Sequence, residues 1–162
     1  MFSQKLRSSG ALIDLRQNSG FSRDQMRVEI PACDPRYAHV MVKNVLGGIL
    51  QTCCATPVTG FYRDGKCNTG PEDVGKHTIC VILTEEFLMH QAYIGNDLIT
   101  PRPQWGFPGL KPGNGWCVCI ERWKQSFDAG VVGPVRLEAT HENVLETVTM
   151  DMLLQAAKTQ VN

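Results

Sequence analysis

A cysteine at the predicted start of a helix is a candidate nucleophile in this chain. Cys119 stands in the stretch WCVCIERW, just before a run with helical periodicity. Unpaired backbone N–H groups and the positive end of the helix dipole would stabilise a thiolate there, as a nucleophile, a redox sensor or a metal ligand requires. If residues 117–119 are extended, the side chain of Cys117 points to the same side of the chain as that of Cys119. The alternative interpretation is that both are small buried hydrophobic residues.

Three further cysteines stand in the stretch TCCATPVTGFYRDGKC. They could form a metal site with the WCVC cysteines and His77, although the chain has neither Cys-x-x-Cys nor His-Glu-x-x-His. A redox pair of Cys54 with Cys67 or Cys119 is a second interpretation. The weak metal candidates are Cys53, Cys54, Cys67, Cys117 and Cys119.

His77 is a candidate general acid or base, because it comes directly before a predicted central strand. Either Glu72 or Asp73 could orient its ring. The alternative interpretation is loop architecture, in which Asp and Asn bind backbone groups in turns. Together, thiols, carboxylates, Arg and His on long loops favour a pocket. The catalytic candidates are Cys119, Cys67, Cys54, His77, Asp73, Glu72 and Arg63.

Residues 95–116 hold four prolines, five glycines and three large aromatic side chains. The aromatic residues argue against disorder, because they need somewhere to pack. A long ordered loop of this kind usually carries function. We therefore predict a surface that binds a small molecule or a protein, with the candidate residues Asn96, Asp97, Arg102, Trp105 and Trp116.

Three helices are predicted to position these side chains. Thr84 can cap a helix over 85–94, where two acidic residues open the first turn and Gly95 ends it. An apolar face predicts a second helix over 120–129. A third helix begins after Thr149 and carries an apolar stripe at helical spacing.

Strands are predicted between the helices. TICVIL, at 78–83, is apolar on both faces and indicates a buried central strand. Residues 134–140 alternate between apolar and polar side chains, which predicts a half-exposed strand that returns through VLETV as a hairpin. The order of elements predicts an α+β fold, a two-layer sandwich with a small mixed sheet, about three helices on one face and two long ordered loops, 44–76 and 95–116.

Composition sets limits on the class of protein. Sixteen basic residues balance sixteen acidic ones, so we expect no nucleic-acid partner, and no apolar run is long enough for a membrane span. Seven cysteines without a secretory signal indicate a soluble, intracellular protein with reduced thiols. We expect an N-terminal extension over 1–43 and one domain over 44–162. The extension is Arg- and Ser-rich, so it is either an arm on a cytoplasmic protein or a mitochondrial or plastid targeting segment.

Long specific motifs carry a family resemblance. NVLGGILQTCCATPVTGFYRDGKCNTGPEDVGKHTICVILTEEFL, GNDLITPRPQWGFPGLKPGNGWCVCIERW and LEATHENVLE resemble the uncharacterised family catalogued as domain of unknown function 2237, from about Asn44 to Ala157. The resemblance implies a small two-layer α/β domain and no particular reaction. Lys66 stands where members often have a second cysteine, which weakens any scheme that needs a cysteine pair at 66–67.

Three functions therefore stay open. The first is a thiol, redox or small-molecule enzyme with a cysteine-lined loop site. The second is a ligand- or protein-binding module that uses residues 95–116, and the third is a metal-binding domain. The sequence names no cofactor and no oligomeric state.

Overall fold

The computed structural model describes residues 42–159. Apart from its last two residues, the predicted N-terminal extension lies outside this range, and so does the predicted choice between an arm and a targeting segment. Three α-helices and two β-strands follow in the order β1 Ile79–Ile82, α1 Glu85–Tyr93, β2 Gly115–Val118, α2 Ile120–Asp128 and α3 Met150–Lys158.

The two strands form an antiparallel pair at the centre of the described domain. Ile79 lies opposite Val118, and Ile82 lies opposite Gly115. All four residues of β2 are buried, and so are the first three of β1. The α+β class, the central strand and the three helices predicted from the sequence are confirmed. The strand pairing is antiparallel, where a mixed sheet was expected.

The helices begin where the capping signals predict them. The Thr84 hydroxyl accepts a hydrogen bond from the Phe87 N–H at 3.1 Å, and Thr149 does the same for Met152 at 3.3 Å. Such caps satisfy backbone donors that a first turn leaves unpaired. Helix α2 differs, because its N-cap is Cys119 and makes no side-chain cap hydrogen bond. That position leaves the thiol available for other contacts.

The predicted strand at 134–140 and its hairpin are wrong. Val135 forms an isolated antiparallel bridge with Val81 of β1 and does not extend into a strand. The chain then forms short 3₁₀ helices at Leu137–Ala139 and Glu142–Glu146. The Thr140 hydroxyl accepts the Cys80 N–H at 3.1 Å. A side-chain oxygen thus accepts the hydrogen bond that the backbone of a continuing strand would have accepted.

The core packs the helices against the sheet. It includes the indole of Trp123, which is fully buried, together with apolar side chains from both strands and all three helices. Gln91 of α1 is also buried and donates to the Ser126 hydroxyl of α2 at 2.7 Å, so this polar group inside the helix interface is satisfied. Within residues 42–159, no helix has the length and apolarity that a membrane crossing requires.

Both long loops are ordered and lie against the strands. In loop 44–76 the buried Thr59 hydroxyl accepts the backbone N–H of Cys117 at 2.8 Å. In loop 95–116 an antiparallel bridge between Arg102 and Phe107 closes a short turn. Trp105 in that turn is 67 % exposed, whereas Trp116 in β2 is 7 % exposed. The two indoles therefore differ in exposure: Trp116 is packed within the sheet, and Trp105 is open to solvent.

Candidate functional site

A buried carboxylate organises the loop that precedes β1. The Asp73 side chain is fully shielded from solvent, and its Oδ2 accepts hydrogen bonds from the Thr69 hydroxyl at 3.0 Å and from the His77 backbone N–H at 2.7 Å. A buried charge is retained only when it is paired and hydrogen-bonded. The loop therefore folds around Asp73, and this holds the backbone of His77 in place.

The imidazole of His77 connects Asp73 to Cys119. Nδ1 lies 2.6 Å from Asp73 Oδ1, and Nε2 lies 3.1 Å from the Cys119 sulfur. The sequence left Glu72 and Asp73 open as the partner of His77. The structure brings Asp73 to the ring, while Glu72 accepts a 3.4 Å hydrogen bond from the Tyr62 hydroxyl. The three side chains form a continuous Cys–His–Asp arrangement.

Cys119 reaches His77 because β2 leads directly into α2. The Ile120 N–H donates to the Lys76 carbonyl oxygen at 3.1 Å, which ties the start of α2 to the residue before His77. Gly75 leaves space beside the pair: a Cβ there would lie 2.9 Å from both the Cys119 sulfur and His77 Cε1. Cys119 is partly exposed and is not paired with another cysteine.

The environment of His77 favours its charged form. The hydrogen bond with Cys119 is the largest cause that raises the pKa of His77, to about 9; partial burial opposes it, while the charge of Cys119 and the contact with Asp73 add to it. At neutral pH the ring is therefore an imidazolium. Both ring nitrogens then donate, one to the Asp73 carboxylate and the other to the Cys119 sulfur.

A cavity of about 410 Å³ lies against His77. Loop 44–76 contributes Phe61 and Arg63 to its wall, and the Phe61 ring lies nearly parallel to the His77 ring with centroids 6.1 Å apart. All five residues predicted to bind a ligand line this cavity: Asn96, Asp97, Arg102, Trp105 and Trp116. Their role in binding stays a prediction.

Two arginines of the cavity lie over indole rings. The Arg63 guanidinium is 5.3 Å from the ring centre of Trp116, and that of Arg102 is 5.4 Å from Trp105. Asp97 Oδ2 lies 3.7 Å from Arg102. Hydrogen bonds from Thr100 and from the backbone, more than Arg102, hold the pKa of Asp97 below its usual value. The cavity thus combines cationic groups with aromatic walls.

The expectation of reduced thiols is wrong for four cysteines. Cys53 is bonded to Cys80, and Cys67 is bonded to Cys117. Cys67 is therefore not a thiol nucleophile in this state, and the predicted redox pair of Cys54 with Cys67 does not form. These pairs join loop 44–76 to β1 and β2. Residues 27 and 50 positions apart had to be brought together, which no local pattern reveals.

Cys54 is the second unpaired cysteine of the described chain. Its sulfur donates to the Thr56 carbonyl oxygen at 3.3 Å. Of the five predicted metal candidates, Cys53, Cys67 and Cys117 place their sulfurs within 4.8 Å of one another, but all three are in disulfides. Metal binding by the reduced chain stays a prediction.

Sequence reasoning missed two residues of the site. Phe61 stacks near His77, and Gly75 leaves the room in which Cys119 and His77 meet. Neither carries a signal in a single sequence, because an aromatic residue or a glycine in a loop is compatible with many roles. Only the folded backbone assigns them to the site.

Fold and site together define a small α+β protein with a Cys–His–Asp arrangement beside a cationic, aromatic cavity. The family described as "uncharacterized protein conserved in bacteria (DUF2237)" matches residues 43–157, well over half of the chain. The chain belongs to this family, and the resemblance found in its sequence is confirmed. A search of the curated proteins finds no match.

Proposed function

We propose that this protein is a cysteine-nucleophile enzyme that transfers or hydrolyses an acyl group. The observation that carries the proposal is the unbroken contact from Asp73 through His77 to Cys119, with distances of 2.6 Å and 3.1 Å. A nucleophile within hydrogen-bond reach of a base, which a third group orients, is the general signature of covalent acyl chemistry.

The arrangement supports a two-step reaction. The Cys119 thiolate attacks a substrate carbonyl carbon, and the leaving group departs with the proton that His77 Nε2 supplies, so that a thioester forms. His77, now neutral, takes a proton from water or a second acceptor, which attacks the thioester and releases the thiolate. Asp73 keeps the ring oriented and stabilises the imidazolium. In the first turn of α2 the Ile120 N–H is bonded to the Lys76 carbonyl oxygen, which leaves the N–H groups of Glu121 and Arg122 as the proposed donors for the oxyanion.

A dithiol redox enzyme is the less favoured function. Such a reaction needs a second thiol in contact with the first. The sulfur of Cys54 is instead bonded to the Thr56 carbonyl oxygen, and the other four cysteines within residues 42–159 are already paired. These contacts favour acyl transfer over thiol–disulfide exchange. A cytoplasmic location and the absence of a nucleic-acid partner stay predictions.

The test uses p-nitrophenyl acetate as the acyl donor and the full chain as the catalyst. We expect a burst of p-nitrophenolate and an acetyl adduct that peptide mapping places on Cys119. Cys119→Ala removes both, and Cys54→Ser serves as the matched control and retains them. A chain that gains no adduct, or that acetylates Cys54 as fast as Cys119, would contradict the proposal.

A further inference from the structure

Positive charge accumulates on the wall of the cavity that His77 lines, and Cys119 contacts the His77 ring without lining the cavity itself. Among the charged side chains that line it, Arg63 and Arg102 are cationic and Asp97 is the single carboxylate, while the charge of the His77 ring is offset by Asp73, 2.6 Å from Nδ1. Asp97 Oδ1 accepts the N–H groups of Ile99 and Thr100 at 3.0 Å each, so its charge is partly satisfied by backbone. The lining therefore carries a net positive charge at neutral pH.

The side-chain donors of Arg63 are largely unused within the described residues. One contact, from Nη1 to the Val58 carbonyl oxygen, is long at 3.5 Å, and the described residues offer Arg63 no ion-pair partner. A guanidinium carries five N–H donors in a planar fork that matches a carboxylate or a phosphate. Arg63 thus has both charge and donors to offer a ligand.

The backbone of Arg63 also departs from ordinary geometry. Its φ is +56°, in the left-handed region that non-glycine residues rarely adopt. Strained backbone of this kind concentrates at ligand clamps and active sites, where the surroundings hold it in place. The Arg63 guanidinium lies over Trp116 and lines the cavity.

Aromatic rings supply the rest of the wall. Phe107 and Trp116 meet edge to face with centroids 5.6 Å apart, and Trp105 lies across the cavity under Arg102. Small-molecule sites combine such apolar walls with a few polar groups that fix orientation. We propose that the acyl substrate bears an oxyanion, a carboxylate or a phosphate, on an apolar or aromatic body, and that Arg63 and Arg102 bind the oxyanion. This inference rests on the proposed function, because it takes Cys119 as the reacting group.

Two thiol probes of similar size test the charge preference. Iodoacetate is anionic and iodoacetamide is neutral, and both alkylate the Cys119 thiolate with loss of iodide. The ratio of their rate constants cancels changes in the thiolate itself. We expect Arg63→Met and Arg102→Met each to lower this ratio about three- to tenfold at low salt, and less at high salt. Lys158→Met, which removes a charge in α3, keeps the ratio of the unaltered protein.

Protection experiments identify the oxyanion and add a second measurement. Benzoate and phenyl phosphate are added during alkylation of the unaltered protein by iodoacetamide, and we expect one or both to slow labelling of Cys119. Stronger protection by phenyl phosphate assigns the site to phosphates, and stronger protection by benzoate assigns it to carboxylates. Arg63→Met weakens the protection.

The two proposals fail in different ways. Should iodoacetamide label Cys119 no faster than Cys54 at pH 6.5, the proposed acyl enzyme is wrong. Rapid labelling with an unchanged probe ratio in both arginine variants, and without protection by either anion, overturns the oxyanion site alone.

Discussion

At the scale of single residues, the proposed chemistry depends on how Asp73 is buried. Its carboxylate is shielded from solvent and accepts hydrogen bonds from Thr69 and from both the ring and the backbone of His77. The same group therefore builds the loop and orients the base. Replacement of Asp73 would disturb folding and reactivity together, so His77 and Gly75 give the cleaner tests.

His77→Gln should slow alkylation of Cys119 at pH 6.5 by about 10- to 100-fold. Only about 1 % of an ordinary thiol is ionised at that pH, whereas an imidazolium next to a thiol favours the ionised form, as the proposed function requires. Stopped-flow alkylation with iodoacetamide across pH 5–10 measures the effect. In the variant the rate should rise with pH as for an ordinary thiol. A variant profile that overlies that of the unaltered protein would show that His77 does not activate Cys119.

Gly75→Ala should separate Cys119 from His77 without unfolding the domain. The added methyl group would lie 2.9 Å from the sulfur and from His77 Cε1, which is closer than carbon atoms approach one another in folded proteins. We expect the loss of rapid alkylation with an unchanged near-ultraviolet circular dichroism spectrum. Gly47→Ala is the matched control for a loop glycine, because nothing lies within 4 Å of a Cβ there, although its φ of +82° costs some stability. Rapid alkylation of Cys119 in Gly75→Ala would show that the loop moves to accommodate the methyl group and that Cys119 and His77 stay in contact.

At the scale of the elements, the N-cap residue of helix α2 contacts His77 and does not cap the helix with its side chain. Thr84 and Thr149 cap α1 and α3 with their hydroxyl groups, whereas Cys119 makes no cap hydrogen bond. Sulfur is a poor acceptor for the short N–H contact that a cap needs. The start of α2 is held instead by the Lys76 carbonyl oxygen.

Cys119→Ser should abolish acyl transfer and, when unfolding is measured above about pH 9, where protonated His77 no longer contributes, should stabilise the fold. A serine hydroxyl at an N-cap contributes about 0.5–1 kcal/mol. Urea unfolding followed by circular dichroism measures the change, and Thr149→Ala, which should lose about 1 kcal/mol, calibrates it. A serine variant less stable than the unaltered chain would indicate that the Cys119–His77 contact contributes more to stability than the missing cap.

At the scale of the whole molecule, two disulfides hold loop 44–76 against the strands. A cross-link stabilises chiefly by restricting the unfolded chain, and the closure of a loop of about 27 residues corresponds to about 3 to 4 kcal/mol. The double variant Cys53→Ala, Cys80→Ala should lose stability of this order in urea unfolding. Cys54→Ala, which removes an unpaired neighbour, is the control. An equal loss in both would contradict a role for the cross-link.

Stability should also fall in alkaline solution because of His77. Its pKa rises from the ordinary 6.5 to about 9 in the folded chain. The protonated ring therefore stabilises the fold fully below about pH 6.5, and this contribution is lost as the pH rises through about 9. The ring faces the Asp73 carboxylate and the Cys119 sulfur. Unfolding free energies of the unaltered chain and His77→Gln should converge between these pH values; a constant difference would contradict the assignment.

Local signals predicted the helices, because capping threonines and apolar periodicity act within a few residues. The same reasoning failed at 134–140, where Thr140 binds the Cys80 backbone and ends the strand that alternation predicted. Cys119 and His77 were both predicted from local context. Their contact, and the choice of Asp73 over Glu72, depends on how an irregular loop folds. The disulfide partners depend on contacts distant in sequence.

Because the three tryptophans are buried to different extents, their fluorescence can report separately on the cavity and on the core. Trp123 is sealed in the core, Trp105 stands in water at the cavity, and Trp116 lies beneath Arg63. Emission from the water-exposed indole is shifted to the red relative to that from the core. A ligand in the cavity would quench or shift the long-wavelength emission of Trp105 and leave the short-wavelength emission of Trp123 unchanged. Unfolding would instead shift the emission of Trp123 to longer wavelength. One emission spectrum can therefore separate occupancy of the site from loss of the fold.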